Sequence, residues 1–280
     1  SLGIVGQLKK SAFDVVHGHG FHSFPFLFSR YAKARKFVVT TRYHGFGHTP
    51  VRNFLFSLYK PLGMRVLKEA DNVICISNYE KNLLLSHFKI KKEKIIVIPN
   101  GITKKEFQNL KKSDKQSHRT ILCVARLEKY KGIHYLIEAL PRLDEDICLQ
   151  IVGKGPYKNE LLKLVNRPIE SRVKFYQDLP RKELLQLYAN ADLFVSLSRY
   201  EAFGNTISEA LASRTPCIVA NTSALSERID DKNCFGIDYP IDAGVLASSI
   251  NKVIGAEVEG VNLLDWDDVA RELETVYQFR

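Results

Sequence analysis

No stretch of the 280-residue sequence reaches 18 uninterrupted apolar residues, so hydropathy marks no membrane-spanning helix. The opening residues, SLGIVGQLKK, lack the long apolar core of a secretion signal. The five cysteines, Cys75, Cys123, Cys148, Cys217 and Cys234, form no Cys-x-x-Cys pair and mostly sit in apolar strand-like runs. That is the pattern of reduced core thiols rather than of disulfides or zinc. Acidic charge is scarce early on: residues 1–118 carry 21 Lys and Arg against 7 Asp and Glu, whereas 119–280 carry 20 against 24. A half of net charge +14 is therefore joined to one of −4. A basic half suits nucleic acid, an anionic membrane surface or an acidic small substrate. No nucleic-acid recognition motif accompanies it, and the run Lys89, Lys91, Lys92, Lys94 is also what a solvated surface looks like. The default location is the cytoplasm.

What is present is an alternation. Short apolar, β-branched runs recur as FDVVH (13–17), FVVTT (37–41), VICIS (73–77), KIIVIP (94–99), TILCVA (120–125), ICLQIV (147–152), RVKFY (172–176), DLFVSL (192–197) and PCIVA (216–220). Between most of them lie helical patterns such as HYLIEAL (134–140), NELLKLV (159–165) and KELLQLYANA (182–191). This spacing predicts an α/β protein of two Rossmann-like domains, with parallel sheets and ligands outside the carboxyl ends of the strands. The lysine-rich stretch 103–118 reads as a linker between a first domain over 1–102 and a second over 119–262. The amphipathic segment 263–280, with Asp265 as its cap, presents Trp266, Val269, Leu273, Val276 and Tyr277 on one face and is expected to pack back toward the first domain. Only four strands precede the linker, where a doubly wound domain usually has five or more. The expectation is therefore a partial first domain, short by about two βα units of roughly 30 residues each.

Three motifs carry chemistry. In SRYEAFGNTISEALAS (198–213), Glu201 follows a strand and Glu209 sits eight positions on, inside the next helix. A helix starting at Gly204 or Asn205 aims its unsatisfied amides at the strand tips, where phosphate is held, and a carboxylate matches a vicinal diol. Read alone, Glu209 is equally an exposed helix residue. In RLEKYKG (126–132), Arg126 and Lys131 place two cations at the end of a neighbouring strand, as a diphosphate requires. The third, IVGKGP (151–156), brings Gly153 and Gly155 after a strand but has Lys158 where a dinucleotide fingerprint needs its last glycine, which disfavours a nicotinamide site. Of the histidines near strand ends, His17 fits a core position, His19 lines either core or cleft, and His48 is a weaker choice; their spacing matches no standard zinc set.

The ordered set DVVHGHG, TTRYHG, ICISNYEKNLL, VIPNGI, VARLEKYKG, IVGKGP, VKFYQDL and YEAFGNTISEAL resembles the retaining glycosyltransferases of family four, enzymes of GT-B architecture with two facing Rossmann-like domains. The resemblance covers nearly the whole chain. It implies a first domain that binds the acceptor and a second that binds a nucleotide-diphosphate sugar. Carried over by position, Glu209 resembles the ribose-binding glutamate, and Glu201 the one near the donor sugar, with the amides of Phe203, Gly204, Asn205 and Thr206 around sugar and phosphate. Arg126 and Lys131 match the diphosphate-binding pair. The backbone from Tyr176 through Gln177 to Leu179 corresponds to the base-reading loop, and Gly153 and Gly155 complete the donor side. His44 aligns with the acceptor-domain histidine at the reaction centre, and His19 joins it as an acceptor-side residue. The implied reaction moves a hexosyl group to a glycan or lipid-linked acceptor with retention, without a metal or other cofactor; no Asp-x-Asp falls at the carboxyl ends of these strands. The family's glycine-rich loop after its first strand is absent. A sugar-nucleotide epimerase or hydrolase of the same fold, and a noncatalytic half needing a complementing N-terminal polypeptide, stay open at this point. Residues 51–70, mixed apolar and cationic, read either as a surface for peripheral membrane contact or as a helix packed in its domain.

Overall fold

The computed structural model describes residues 2–45, 50–113 and 118–278. The chain divides into two compact units, residues 1–101 with 266–280 and residues 102–265. Each is built on one parallel sheet, four strands in the first and six in the second.

In the first unit the strands β1 (Ala12–His19), β2 (Lys33–Thr40), β3 (Asn72–Cys75) and β4 (Ile95–Val97) lie side by side in chain order. The helices are α1 (Leu2–Lys10), α2 (Phe24–Ser29), α3 (Pro50–Glu69) and α4 (Asn78–His87), together with the last helix of the chain, α10 (Trp266–Tyr277). Phe21, Phe26, Val39, Tyr43, Val66, Leu67, Val73, Cys75, Leu84 and Phe88 form the core on one side of this sheet. Helix α3 packs in its domain along one face, as the second of its two sequence readings expects, and leaves apolar residues exposed on another. Phe56, Tyr59, Val66 and Leu67 turn to the core, while Val51, Phe54, Leu55, Leu58 and Leu62 stay exposed. On α10, Val269 and Val276 are buried, but Trp266 is 46% exposed and so departs from the expected buried face.

The second unit runs β5 (Arg119–Val124), α5 (Ile133–Ala139), β6 (Ile147–Val152), α6 (Lys158–Leu164), β7 (Val173–Tyr176), α7 (Arg181–Asn190), β8 (Leu193–Ser196), α8 (Asn205–Ala212), β9 (Cys217–Ala220), β10 (Cys234–Ile237) and α9 (Ala243–Val253). Its strand order is β10-β9-β8-β5-β6-β7, every pairing parallel. The order reverses between β5 and β8, which makes that gap the switch point of a doubly wound sheet. Strand residues alternate between two cores, as a sheet covered on both faces demands. Ile121, Cys123, Leu193, Val195 and Ile218 pack with α5 and α9, whereas Leu122, Phe194, Cys217 and Val219 pack with α7 and α8. Strand β10 was not expected, because four residues containing a glycine carry too little periodicity to stand out.

The lysine-rich stretch 103–118, read from sequence as a linker, is not free of the second unit. Its described part is packed on the second unit: Phe107 is buried against Leu185, and Ile102 pairs with Asp265 as an isolated bridge. Lys112 forms an ion pair with Asp192, and the Ser113 amide donates to Asn190 Oδ1 at 3.0 Å. Polar composition hid Phe107, the apolar anchor within it.

Candidate functional site

The chain passes the β5–β8 switch point twice, and each passage brings a charged side chain. After β5 a short 3₁₀ turn, Lys129–Lys131, ends at Gly132, which starts α5. After β8 the segment 197–204 leads into α8. A backbone bond ties the passages together, from the Arg199 amide to the Tyr130 carbonyl at 2.8 Å. Across this junction Lys131 Nζ pairs with the Glu201 carboxylate, the two side chains being only 12% and 25% exposed. The Glu201 backbone is itself fixed: its amide donates to Ser223 Oγ at 3.0 Å, and its carbonyl accepts from the Ala224 amide at 3.2 Å. Ser223 adopts φ +51° to do this, a strained value for a residue with a side chain.

Helix α8 begins where the sequence placed it, with Gly204 at φ +88° and Asn205 and Thr206 in its first turn. Gly204 has two reasons to be glycine. A Cβ there would meet Ile207 Cδ1 at 2.8 Å, in a backbone region that L residues avoid. Gly204→Ala is expected to lower stability by about 1–3 kcal/mol through strain and crowding, read as a fall in the urea midpoint at unchanged slope. Phe203 is buried, with the Arg228 guanidinium 5.0 Å above its ring, and Arg228 Nη2 also donates to Ser208 Oγ at 2.6 Å. Burial holds this guanidinium below its usual range.

Glu209 lies farther along α8 and is held from two sides. Arg181 Nη1 donates to one carboxylate oxygen at 2.6 Å, and the buried Tyr188 hydroxyl donates to the other at 2.9 Å. Arg181 also bonds Glu106 Oε2 at 2.8 Å, so the carboxylate is tied to the stretch that precedes β5. Burial works against the Arg181 charge, but its bonds to Glu106 and Glu209 outweigh that and keep its pKa above the ordinary value. Burial, with Glu209 beside it, pushes the Tyr188 hydroxyl well up. Each carboxylate oxygen retains a second lone-pair direction for a ligand hydroxyl.

The other residues that the sequence resemblance assigned to the donor side differ in their surroundings. Arg126 is 60% exposed, with Nη1 on Glu128 at 2.9 Å and Nη2 donating to the Tyr130 hydroxyl at 2.8 Å. Gly155 is required by close approach, since a Cβ would stand 2.3 Å from the Leu127 carbonyl. The Gly153 amide donates to the Tyr176 carbonyl at 2.9 Å. These two glycines seat the loop after β6 against the Arg126 segment. Gln177 accepts a long 3.4 Å bond from Lys158 Nζ, and Leu179 packs against the core beneath α7 and α8.

In the first unit the ends of β1 and β2 run together, with the Phe21 amide donating to the Thr41 carbonyl at 2.7 Å. His44 is half-buried, 4.9 Å from the His22 ring. His19 is exposed and stands 4.0 Å from His17. His17 bonds Tyr277 Oη at 2.6 Å and Thr40 Oγ1 at 2.8 Å. Burial, with His19 beside it, lowers His17 to about 4, so it is neutral near pH 7. His48 lies outside the described residues. Among the described residues no group of three metal-ligating side chains converges.

The geometry thus joins Lys131 to Glu201, with Arg126 beside Tyr130 on the same turn, and gives Glu209 its own network of Arg181 and Tyr188. Sequence reasoning missed Arg181, Tyr188, Ser223 and His22. Nothing local distinguishes Arg181 or Tyr188 from other residues of an amphipathic helix, and their role exists only once α7 and α8 lie side by side.

The family described as "Glycosyl transferases group 1" matches residues 103–260, and "Glycosyltransferase Family 4" matches residues 2–106. An uncharacterized glycosyltransferase of Methanocaldococcus jannaschii is 31% identical over 75% of this chain and 60% of its own length. The alpha-monoglucosyldiacylglycerol synthase of Streptococcus pneumoniae is 31% identical over 82% of this chain and 57% of its own. The chain therefore spans 60% or less of these curated relatives. Among solved structures, Anabaena HepE in complex with UDP and glucose superposes with TM-score 0.82 at 20% identity, covering 99% of this chain and 81% of that one. A glycosyltransferase from Rickettsia africae gives 0.76 at 24% identity, covering 99% and 79%. Since the group 1 pattern matches more than half of the sequence and spans every residue of the switch-point junction, this chain belongs to the glycosyl transferases group 1 family and has the GT-B fold.

Proposed function

We propose that this chain carries the donor and acceptor elements of a retaining hexosyltransferase that uses a nucleotide-diphosphate sugar. The observation that carries the reading is the Lys131–Glu201 ion pair at the β5–β8 switch point, beside the amide-bearing start of α8. In this reading Lys131, Arg126 and the amides from Phe203 to Thr206 hold the diphosphate, Glu209 holds the ribose hydroxyls and Glu201 the hexose. The bond from the anomeric carbon to the diphosphate oxygen breaks, and the acceptor oxygen bonds that carbon on the same face. The acceptor proton leaves with the nucleoside diphosphate. Cations and amides aimed at the departing oxygen stabilise the charge that develops there, and in such sites this stabilisation does more for the rate than any other effect. They do so without a metal, and turnover is expected to be insensitive to EDTA.

Two further features support the reading. Solved neighbours contain UDP, which makes uridine the first base to try. The exposed Val51, Phe54, Leu55, Leu58 and Leu62 share α3 with Arg52, Lys60, Arg65 and Lys68, a combination suited to the surface of an anionic bilayer carrying a lipid-linked acceptor. No helix of the described residues is long and apolar enough to cross a membrane. We assign His19 and His44 to the acceptor side. The test is release of UDP from UDP-glucose in the presence of diacylglycerol-containing anionic vesicles or of oligosaccharides, with the product's anomeric coupling read by proton NMR. An α-linked product from the α-linked donor is expected, and a β-linked product contradicts the assignment.

A further inference from the structure

The first unit contains a carboxylate that the donor chemistry does not use. Glu80 is fully buried, 0% exposed, on the first turn of α4. Ser77 caps that helix, its hydroxyl accepting from the Glu80 amide at 3.1 Å, and Ser77 with Glu80 makes the S-x-x-E spacing of a capping box. In the usual box the glutamate folds back on the cap residue's own amide. Here it reaches farther. Oε2 accepts from the Ile76 amide at 2.7 Å, while Oε1 accepts from both the Thr41 hydroxyl and the Tyr43 amide. Thr41 and Tyr43 belong to the segment that leaves β2 and carries His44.

That segment is otherwise anchored at its flanks. The Thr41 amide donates to the Ile74 carbonyl at 3.1 Å, and the Tyr43 hydroxyl engages His87 Nδ1 at 2.7 Å. Gly45 turns the chain at φ +92°. Glu80 is the group that grips the backbone immediately before His44, and it does so from a helix seated on the core through Leu84. A buried carboxylate requires partners, and a segment with its own polar groups buried requires acceptors. Each supplies the other.

We propose that Glu80 is a positioning residue, holding residues 41–43 in the conformation that presents His44 to the acceptor. The inference rests on the assignment of His44 to the acceptor side. Burial pushes the Glu80 carboxyl up to about 7 from its ordinary 4.5, against the pull of Thr41, Ile76, Tyr43 and Arg42. The titratable and charged groups that interact with it are Arg42 on the same segment and Cys75 on β3, and Lys81 on α4 acts on that Cys75. The closed segment therefore binds the proton more tightly than an opened one, so its closure weakens as pH rises from about 4.5 to 7.

The test follows the His44 ring signals by NMR and the amide protection of residues 41–45, in the full chain. Glu80→Ala is expected to raise exchange of those amides at least about tenfold relative to β3 and β4, a local opening rather than global loss, and to shift the His44 signals. Glu80→Gln keeps an oxygen for Thr41 and Tyr43 and is expected to restore most of both readouts while abolishing the pH dependence of protection. Thr41→Val, which removes one donor without touching the helix, is expected to move His44 in the same direction by less, and it decides the matter if Glu80→Ala does not fold. Unchanged His44 signals in Glu80→Ala and Thr41→Val with only a lowered melting temperature, or loss of protection spread evenly over the unit, overturns the proposal. UDP binding by the second unit uses none of these residues, so a failed donor reading shows separately, as loss of the UDP shift in the wild type.

Discussion

Lys131→Ala is expected to remove the stabilisation that UDP gives the wild-type chain. A ligand at about 100 times its dissociation constant stabilises by roughly 2.7 kcal/mol, or about 5–10 °C in melting temperature for a unit of this size. The substitution acts twice. It deletes a cation at the junction that leads into α8, and it leaves the Glu201 carboxylate, whose backbone Ser223 and Ala224 hold, without that partner. Attraction becomes repulsion at one point. With a donor sugar, the loss in kcat/KM is expected to reach about 10²–10³, the usual effect of deleting a preorganised charge-stabilising group. The melting temperature without ligand is expected to fall as well, because a largely buried carboxylate loses its partner, so the test is the further shift on adding UDP. A full UDP shift in the variant contradicts the assignment.

Glu209→Ala is expected to weaken UDP about 100-fold, since each hydrogen bond from a ribose hydroxyl to a charged carboxylate contributes about 1.5–3 kcal/mol. Inorganic pyrophosphate separates the two halves of the pocket. It lacks ribose, so Glu209→Ala leaves its binding intact while Lys131→Ala abolishes it. Removing Glu209 also strands the Tyr188 hydroxyl, which is buried, and returns Arg181 to Glu106 alone. A stability loss of about 1–2 kcal/mol accompanies the binding defect for that reason. Tyr188→Phe keeps the carboxylate and is expected to cost only part of the affinity, by loosening its orientation. Equal loss of pyrophosphate and UDP affinity in Glu209→Ala contradicts the ribose role.

The placement of Glu201 and Glu209 around the start of α8 was readable because these residues are spaced by local rules. A strand run, then a glycine, then a helix fixes where amides point, and the eight-residue interval from Glu201 to Glu209 puts one carboxylate before that turn and one after it. The alternation of strand and helix likewise gave a doubly wound sheet, because parallel strands buried on both faces must be apolar throughout, as Cys217–Ala220 is. What escaped depends on partners distant in sequence. Arg181 meets Glu106 across 75 residues, and Ser223 meets Glu201 across 22. Neither has a local pattern. The stretch 103–118 misled for a related reason: its lysines describe its solvent side, while Phe107 alone records that it packs. The S-x-x-E of Ser77 and Glu80 is a helix-start spacing, but only the fold shows the glutamate serving the β2 end instead of its own cap.

The most direct measurement is a crystal structure of this chain with UDP. The account predicts the diphosphate within hydrogen-bond reach of Lys131 Nζ and of the Asn205 and Thr206 amides, with the ribose hydroxyls on the Glu209 carboxylate. UDP bound elsewhere, or bound here with Lys131 and Glu209 both out of reach, would contradict it.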